Sequence, residues 1–471
     1  MKLLKASALA VLTLSELIDA VPSPYWTKQH LINDPKAAVK AHNPYSPDYS
    51  DPYDHKVDSI GEDLDPLPYR GKGEGTSVMG PWNRERSRQN PDLVRPPSTD
   101  SGVMQNMRWS FADSHVRIGG NSWTRQTTLR ELPSSKEIAG VNMRLDAGVI
   151  RELHWHVQAE WAYVLEGSCR ITALDQEGGN FVGDLEKGDL WYFPRGHPHS
   201  IQGLGPNGTE FLLVFDDGAF SEDSTFLLTD WLAHTPKSVL AENFRISPEV
   251  FETIPKKEKY MFQASMPKSI DEEQPKEGRG IKKSKLQFTH KLLAQEPLNT
   301  TGGLVRIADS KTTFPLSKTI AAAHLTLHPG SMREMHWHPQ ADEWSFFIRG
   351  RARVTIFASE GTARTFDYQA GDVGVVPKNQ GHFIENLSDD EEVEILEIFR
   401  SDEFLDFSLF DWMASTPRRM VADHLFQGDK ERQEKFLSAL EKGVDEVGTH
   451  DPIRAVPKDH YEGDETIEEE L

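Results

Sequence analysis

The sequence predicts an all-β fold, two similar strand-rich domains each followed by small helical segments, and three observations carry it. From about residue 102 the chain runs in short alternating or apolar stretches broken by Gly, Pro and Asp; "RITALDQEGGNFVGDLEKGDLWYFPRG" reads as strand, turn, strand, turn, strand. The chain also repeats itself. "LDAGVIRELHWH" aligns with "LHPGSMREMHWH", and "LEKGDLWYFPRGHPHS" with "YQAGDVGVVPKNQGHF", at an offset of 182 positions between His154 and His336. So long a period is duplication of a whole domain, not a solenoid repeat. Helical signal is confined mainly to "STFLLTDWLAHTPKSVLAENF" and "DFSLFDWMASTPRRMVADHLF", one after each strand block.

Taken in order, residues 1–20 have the outline of a signal peptide: lysines at 2 and 5, an apolar run from Ala6 to Leu14, and the small residue Ala20 before "VPSP". Residues 21–100 are rich in Pro, Gly, Asp and Tyr without a sustained period, and read as an N-terminal arm with little core of its own. The first strand-rich domain is expected over 101–255. A charged, Pro-bearing linker follows over 256–285, then the second domain over 286–430 and an acidic C-terminal tail over 431–471. At 471 residues the chain is long enough for two cores. Its net charge of −22 argues against nucleic acid as a partner. No segment after the leader approaches the length of a membrane span. The single cysteine, Cys169, excludes an intrachain disulfide framework and reads as a small buried apolar residue. Three N-x-[ST] acceptors, at Asn207, Asn299 and Asn386, fit an exported glycoprotein.

The chemistry lies in the histidines. Residues i and i+2 of a strand share a face, so His154 and His156 aim two imidazoles side by side, and Glu160 adds a carboxylate across a short turn. His336, His338 and Glu343 repeat the pattern with one extra residue before the acid. Gly167 and Gly350 follow at the same distance beyond each glutamate, where a tight turn is expected. Further on, Gly188, Pro194 and His199, and in the second half Gly371, Pro377 and His382, share the spacing G-x5-P-x4-H, so a distant strand supplies a third imidazole. His197 rivals His199, but only His199 has a matched counterpart. Three imidazoles and a carboxylate make a divalent metal site with open positions for a small ligand; the ligand types alone leave Mn, Fe, Zn or Ni open. Arg151 and Arg333 precede the histidine pairs by three residues, so strand alternation puts them on the opposite face unless a bulge intervenes.

The pattern H-x-H-x(3,4)-E-x6-G followed by G-x5-P-x4-H resembles the cupin double motif, and two intact copies make the chain similar to a bicupin. From about Ser101 to Leu425 it resembles the oxalate decarboxylases, in particular the secreted fungal type. Two departures stand out: "PKNQGH" lacks the usual glycine two residues after Pro377, and Gly203 stands where Asn386 stands in the other half. The resemblance implies two double-stranded β-helix (jelly-roll) barrels, each holding manganese, with dioxygen as cocatalyst and a homo-oligomer, trimer or hexamer, as the assembly. It also implies that Arg151, and Arg333 in the second half, grip a carboxylate of oxalate.

Decarboxylation leaves a one-carbon fragment that must be protonated at carbon, which calls for a general acid in a water-excluding lid. "FSEDSTF" offers Glu222 and Asp223, and the resemblance selects Glu222. In the second half Asp402 and Glu403 fall less clearly into register, and Glu397 is the possible second-site acid, although Glu394 and Glu397 also suit outward strand positions. Turnover is therefore expected in the first domain. The alternatives are an oxalate oxidase on the same scaffold, releasing hydrogen peroxide, and a non-enzymatic storage bicupin.

Overall fold

The structure is a computed structural model that describes residue 97 and residues 99–447 and 451–455. The expected leader, nearly all of the arm and the end of the chain lie outside the described residues. The first barrel is built from β1 (Ala139–Leu145), β2 (Val149–Trp155), β3 (Glu160–Leu174), β4 (Gly179–Glu186), β5 (Asp189–Phe193), β6 (His199–Gly203) and β7 (Thr209–Phe215). One face pairs β5, the start of β3, β7 and β1; the other pairs β4, the end of β3, β6 and β2. β3 therefore serves both faces of a jelly roll, and it bends at Gly167, whose φ is +73°. A Cβ there would sit 2.0 Å from the Gly208 carbonyl oxygen, so only glycine fits the corner.

The second barrel repeats this plan with β8 (Ala321–Leu327), β9 (Ser331–Trp337), β10 (Glu343–Arg349), β11 (Arg351–Phe357), β12 (Ala363–Gln369), β13 (Asp372–Val376), β14 (Gly381–Asn386) and β15 (Val393–Phe399). Its long strand is split in two at Gly350, φ +77°. Short helices follow each barrel: α1 (Leu228–Ala233) and α2 (Lys237–Phe244), then α3 (Leu409–Ala414), α4 (Arg418–Leu425) and α5 (Lys430–Val447). Among the described residues no helix is long and apolar enough to cross a membrane.

Strand parity divides the apolar residues among three cores. In β3, Ala162 and Val164 point into the first barrel while Trp161 and Tyr163 point out of it; in β10, Phe347 points in while Trp344 and Phe346 point out. The outward residues of both barrels meet in one shared core with Phe111, Leu396 and Ile398. Burial on both faces explains why these strands read as near-continuous apolar runs. Cys169 is fully buried in the first barrel, as its apolar reading expects.

His324 lies on this shared face, stacked on Tyr163 with ring centroids 6.1 Å apart, and neither of its nitrogens has a hydrogen-bond partner. Burial first, then the charge of Arg306, pushes its pKa down to about 4, while Glu394 stays 3.9 Å from Nε2. The unfolded chain therefore binds more protons than the native one between about pH 6.5 and pH 4, so stability is complete above this window and falls as pH drops through it. A shift of this size is worth on the order of 3 kcal/mol. Expected outcome: His324→Leu flattens the fall in melting temperature between pH 7 and pH 4.5. An unchanged slope would remove His324 from this role.

Short strands near the expected domain boundaries pair outside the segment they were assigned to. Arg108–Ser110 pairs with β13 of the second barrel, whereas Lys282–Lys283 and Thr289–Lys291 pair with β4 and β5 of the first. Met261–Gln263, in the expected linker, pairs with β2, and Ile453–Ala455, in the expected tail, pairs with β9. These pairings have one cause. Two- or three-residue strands are held by backbone hydrogen bonds to a sheet edge, and so carry no side-chain period to read. Of the three sequons, Asn386 is buried, and its Nδ2 donates to the carbonyls of Leu327, His328 and Glu391. Asn207 and Asn299 are exposed. The two motif departures have local explanations. Asn379 adopts φ +64° where the first half has Gly196 at +71°, and at Gly203 a Cβ would meet the Asp146 carbonyl oxygen at 2.4 Å.

Candidate active site

In each barrel the four expected ligands converge. One atom from each of His154, His156, Glu160 and His199 lies within 4.8 Å of the others, and His336, His338, Glu343 and His382 form an equal cluster. Register explains the meeting: His154 faces His199 across β2 and β6, and His336 faces His382 across β9 and β14. His197 sits outside the cluster, offering its carbonyl to His199 Nδ1 at 2.7 Å.

Every ligand imidazole is oriented by its Nδ1–H. In the first barrel these donate to the carbonyls of Glu152 (2.5 Å), Gln158 (2.7 Å) and His197 (2.7 Å). In the second they donate to Glu334 (2.6 Å), Leu405 (2.8 Å) and Gln380 (3.0 Å). That tautomer turns all six Nε2 lone pairs inward, as a metal requires. Glu160 Oε2 lies 3.2 Å from His156 Nε2 and 3.4 Å from His199 Nε2, while Trp191 Nε1 donates to its Oε1 at 2.8 Å. Glu343 Oε2 lies 3.1 Å from His338 and 2.9 Å from His382, and Ser345 donates to its Oε1.

Burial pushes the Glu160 and Glu343 carboxyls up, but the neighbouring imidazoles more than offset this and hold both well below the usual carboxylate range. Burial, reinforced by neighbouring cationic groups, lowers His154 and His336 and keeps them neutral. His336 Nε2 is buried with no hydrogen-bond partner. Neutral imidazoles, an ionised carboxylate and an orphaned inward nitrogen fit a divalent cation.

The bulge that strand parity demands is present: pairing shifts register between Arg151 and His154, and again between Arg333 and His336. Arg151 and Glu152 are consequently both buried, with Leu153 exposed and His154 buried again. Arg151 is carried to the metal side, stacks on Tyr260 with its Cζ 4.1 Å from the ring centroid, and donates to the Tyr260 carbonyl at 3.5 Å. The two candidate lid acids differ in burial. Asp223 is exposed, whereas Glu222 is half-buried and accepts from Thr124 Oγ1 at 3.4 Å. Burial raises the Glu222 carboxyl above its ordinary value, partly countered by the nearby Arg151 charge and Tyr260 hydroxyl.

In the second barrel, Arg333 is buried against Glu397 Oε1 (3.6 Å) and in contact with Asp406. Glu397 points inward, fully buried, with its carboxyl raised by burial and by the charge of Glu343. Asp402 is outside the site, paired with Lys311 at 2.7 Å; Glu403 offers its carbonyl to Gln340.

Sequence reasoning missed several residues. Glu152 accepts from the backbone of Thr229, Lys259 and Tyr260, and so ties the post-barrel segments to the histidine strand. Glu334 does the same through Ser408 and Arg454. Both follow the site arginine in the repeated "R-E-[LM]-H-W-H", a signal that was available. Tyr260 lies in the expected linker and has no counterpart in the duplication, so nothing marked it.

The cupin family matches the chain twice, over residues 113–252 and 290–433. The chain is 53% identical over 363 residues to oxalate decarboxylase OxdC of Bacillus subtilis (77% of this chain, 93% of the relative). It is 41% identical over 359 residues to a probable oxalate decarboxylase of Arthroderma benhamiae (75% and 87%). A solved structure described by its Mn(II) centres, of the Bacillus subtilis oxalate decarboxylase, aligns with TM-score 0.76 and 49% identity, covering 83% of this chain and all of that one. With both barrels, both ligand sets and these relatives in agreement, the chain belongs to the cupin family, as a bicupin of the oxalate decarboxylase group.

Proposed function

We propose that this protein is an oxalate decarboxylase, a carboxy-lyase converting oxalate to formate and carbon dioxide at the first centre with manganese as its metal and dioxygen as cocatalyst. The observation that carries the reading is the first set of three imidazoles and a carboxylate, with Arg151 free of any ion pair among the described residues and a half-buried Glu222 whose carboxyl feels the Arg151 charge. His154, His156, Glu160 and His199 would hold the manganese, which when bound supplies a redox-capable Lewis acid for a small carboxylate.

The protein's part is positioning and proton supply. Among the described residues Arg151 makes no ion pair with a carboxylate, so its planar fork is available to one carboxylate of the substrate dianion. Tyr260 fixes that fork from below by stacking and through its carbonyl. Glu222, kept protonated to higher pH by its enclosure, delivers the proton to the carbon left after carbon dioxide departs. The short helix Glu222–Ser224 that carries it, capped by Ser221 accepting from Asp223 N, keeps water from that carbon while the proton is delivered.

The reading includes self-association and secretion. Trp231 and Trp412, each 62% exposed, pack edge-on against Trp155 and Trp337 and present an apolar helix face to a second copy. Secretion rests on the leader-like start and the exposed sequons at Asn207 and Asn299. Quantifying formate and hydrogen peroxide from oxalate under air tests the reaction. Formate matching the oxalate consumed is expected; peroxide in its place would assign the oxidase reaction instead.

A further inference from the structure

The barrels share their ligands but treat their arginines differently. Arg151 has no ion-pair partner among the described residues, whereas Arg333 has two carboxylates against it. Its Nη2 contacts Asp406, its Nε lies 3.6 Å from Glu397, and its Nη1 donates to the Pro452 carbonyl at 3.4 Å.

Pairing fixes which residues are equivalent. Phe226 opposes Trp155 and Phe407 opposes Trp337, so Thr225 and Asp406, each one residue earlier, occupy the same place. Phe215 opposes Glu160 and Phe399 opposes Glu343, so Leu213 in the first barrel stands where Glu397 stands in the second. Phe220 stacks on Phe215 and Phe404 packs on Phe399, yet five residues separate Phe220 from Phe226 and only two separate Phe404 from Phe407. The shorter loop has no room for a Glu222 equivalent, and it draws Asp406 onto the arginine. A cavity of about 710 Å³ reaches the same place, with Arg333 and Asp406 in a wall otherwise formed largely by apolar side chains such as Val305, Ile307 and Trp337.

We propose that Asp406 is a built-in competitor for small carboxylates: by occupying Arg333 it closes the second centre to substrate and confines carboxylate binding to the first. This rests on the decarboxylase reading for the chemistry of the ligand. The physical reason is charge balance. An incoming carboxylate must displace a charge-assisted contact to a buried guanidinium and leave Asp406 unpaired beside its own negative charge. At Thr225 the first barrel imposes neither cost.

Calorimetric titration of formate into the manganese-loaded protein tests this. Wild type is expected to bind one formate per chain, lost in Arg151→Ala. Asp406→Thr, which installs the residue the first barrel already accepts, is expected to bind two, the gained one vanishing when Arg333→Ala is added; the isosteric Asp406→Asn should show the same gain. Stoichiometry remaining at one in both variants, with both metals retained, overturns the proposal. So does a wild-type site that disappears in Arg333→Ala and survives in Arg151→Ala. Failure of the decarboxylase reading would show separately, as wild-type protein that yields no formate from oxalate.

Discussion

Glu222→Gln is expected to lower formate production by about 10²- to 10⁴-fold, the usual worth of a positioned general acid, while both metals stay bound. The substitution keeps the shape of the side chain and its contact with Thr124 but removes the acidic proton of the half-buried carboxyl. Asp223→Asn, one residue on and exposed, is expected to leave the rate unchanged. Formate release and metal content on the two variants check this together. Full formate output from Glu222→Gln would take the proton-donor role from it.

Glu160→Gln is expected to abolish turnover by emptying the first centre, so that bound metal falls from two ions per chain to one. The carboxylate is the sole anion among the four ligands and touches two of the imidazoles. Its amide replacement is neutral, yet the Oε1 atom still accepts from Trp191, so the barrel is retained. Glu343→Gln should lose the other ion and keep formate production, because the acid lid and the uncommitted arginine belong to the first barrel. Metal analysis beside the formate assay separates the two variants, and equal loss of activity in both would deny the assignment of turnover to the first centre. Chelation should also lower the melting temperature, since the metal binds only the folded arrangement.

Much of the site is legible in the sequence because its geometry is local. His154 and His156 share a face by strand alternation, and the same spacing recurring at His336 and His338 removes coincidence. Even the bulge at Arg151 is foreseeable, since an arginine three residues before a ligand reaches the same cavity only if parity is broken. Tyr260, Asp406 and Glu397 were harder. Tyr260 and Asp406 come from irregular segments brought to the site by long-range pairing, and Glu397 sits on a strand whose inward face could not be fixed without its partners.

The sequence alone determined the two-barrel duplication and the two four-ligand sets, since each follows from a side-chain period or a repeated spacing, while the two arginines came from the family resemblance against strand parity. Only the tertiary structure decided that residues of the expected linker and tail pair with the histidine strands β2 and β9, that the barrels share a core, and that Arg333 is ion-paired while Arg151, among the described residues, is not. Those outcomes depend on backbone pairing between distant segments and on loop length, where one residue more or fewer redirects a carboxylate without leaving any periodic trace.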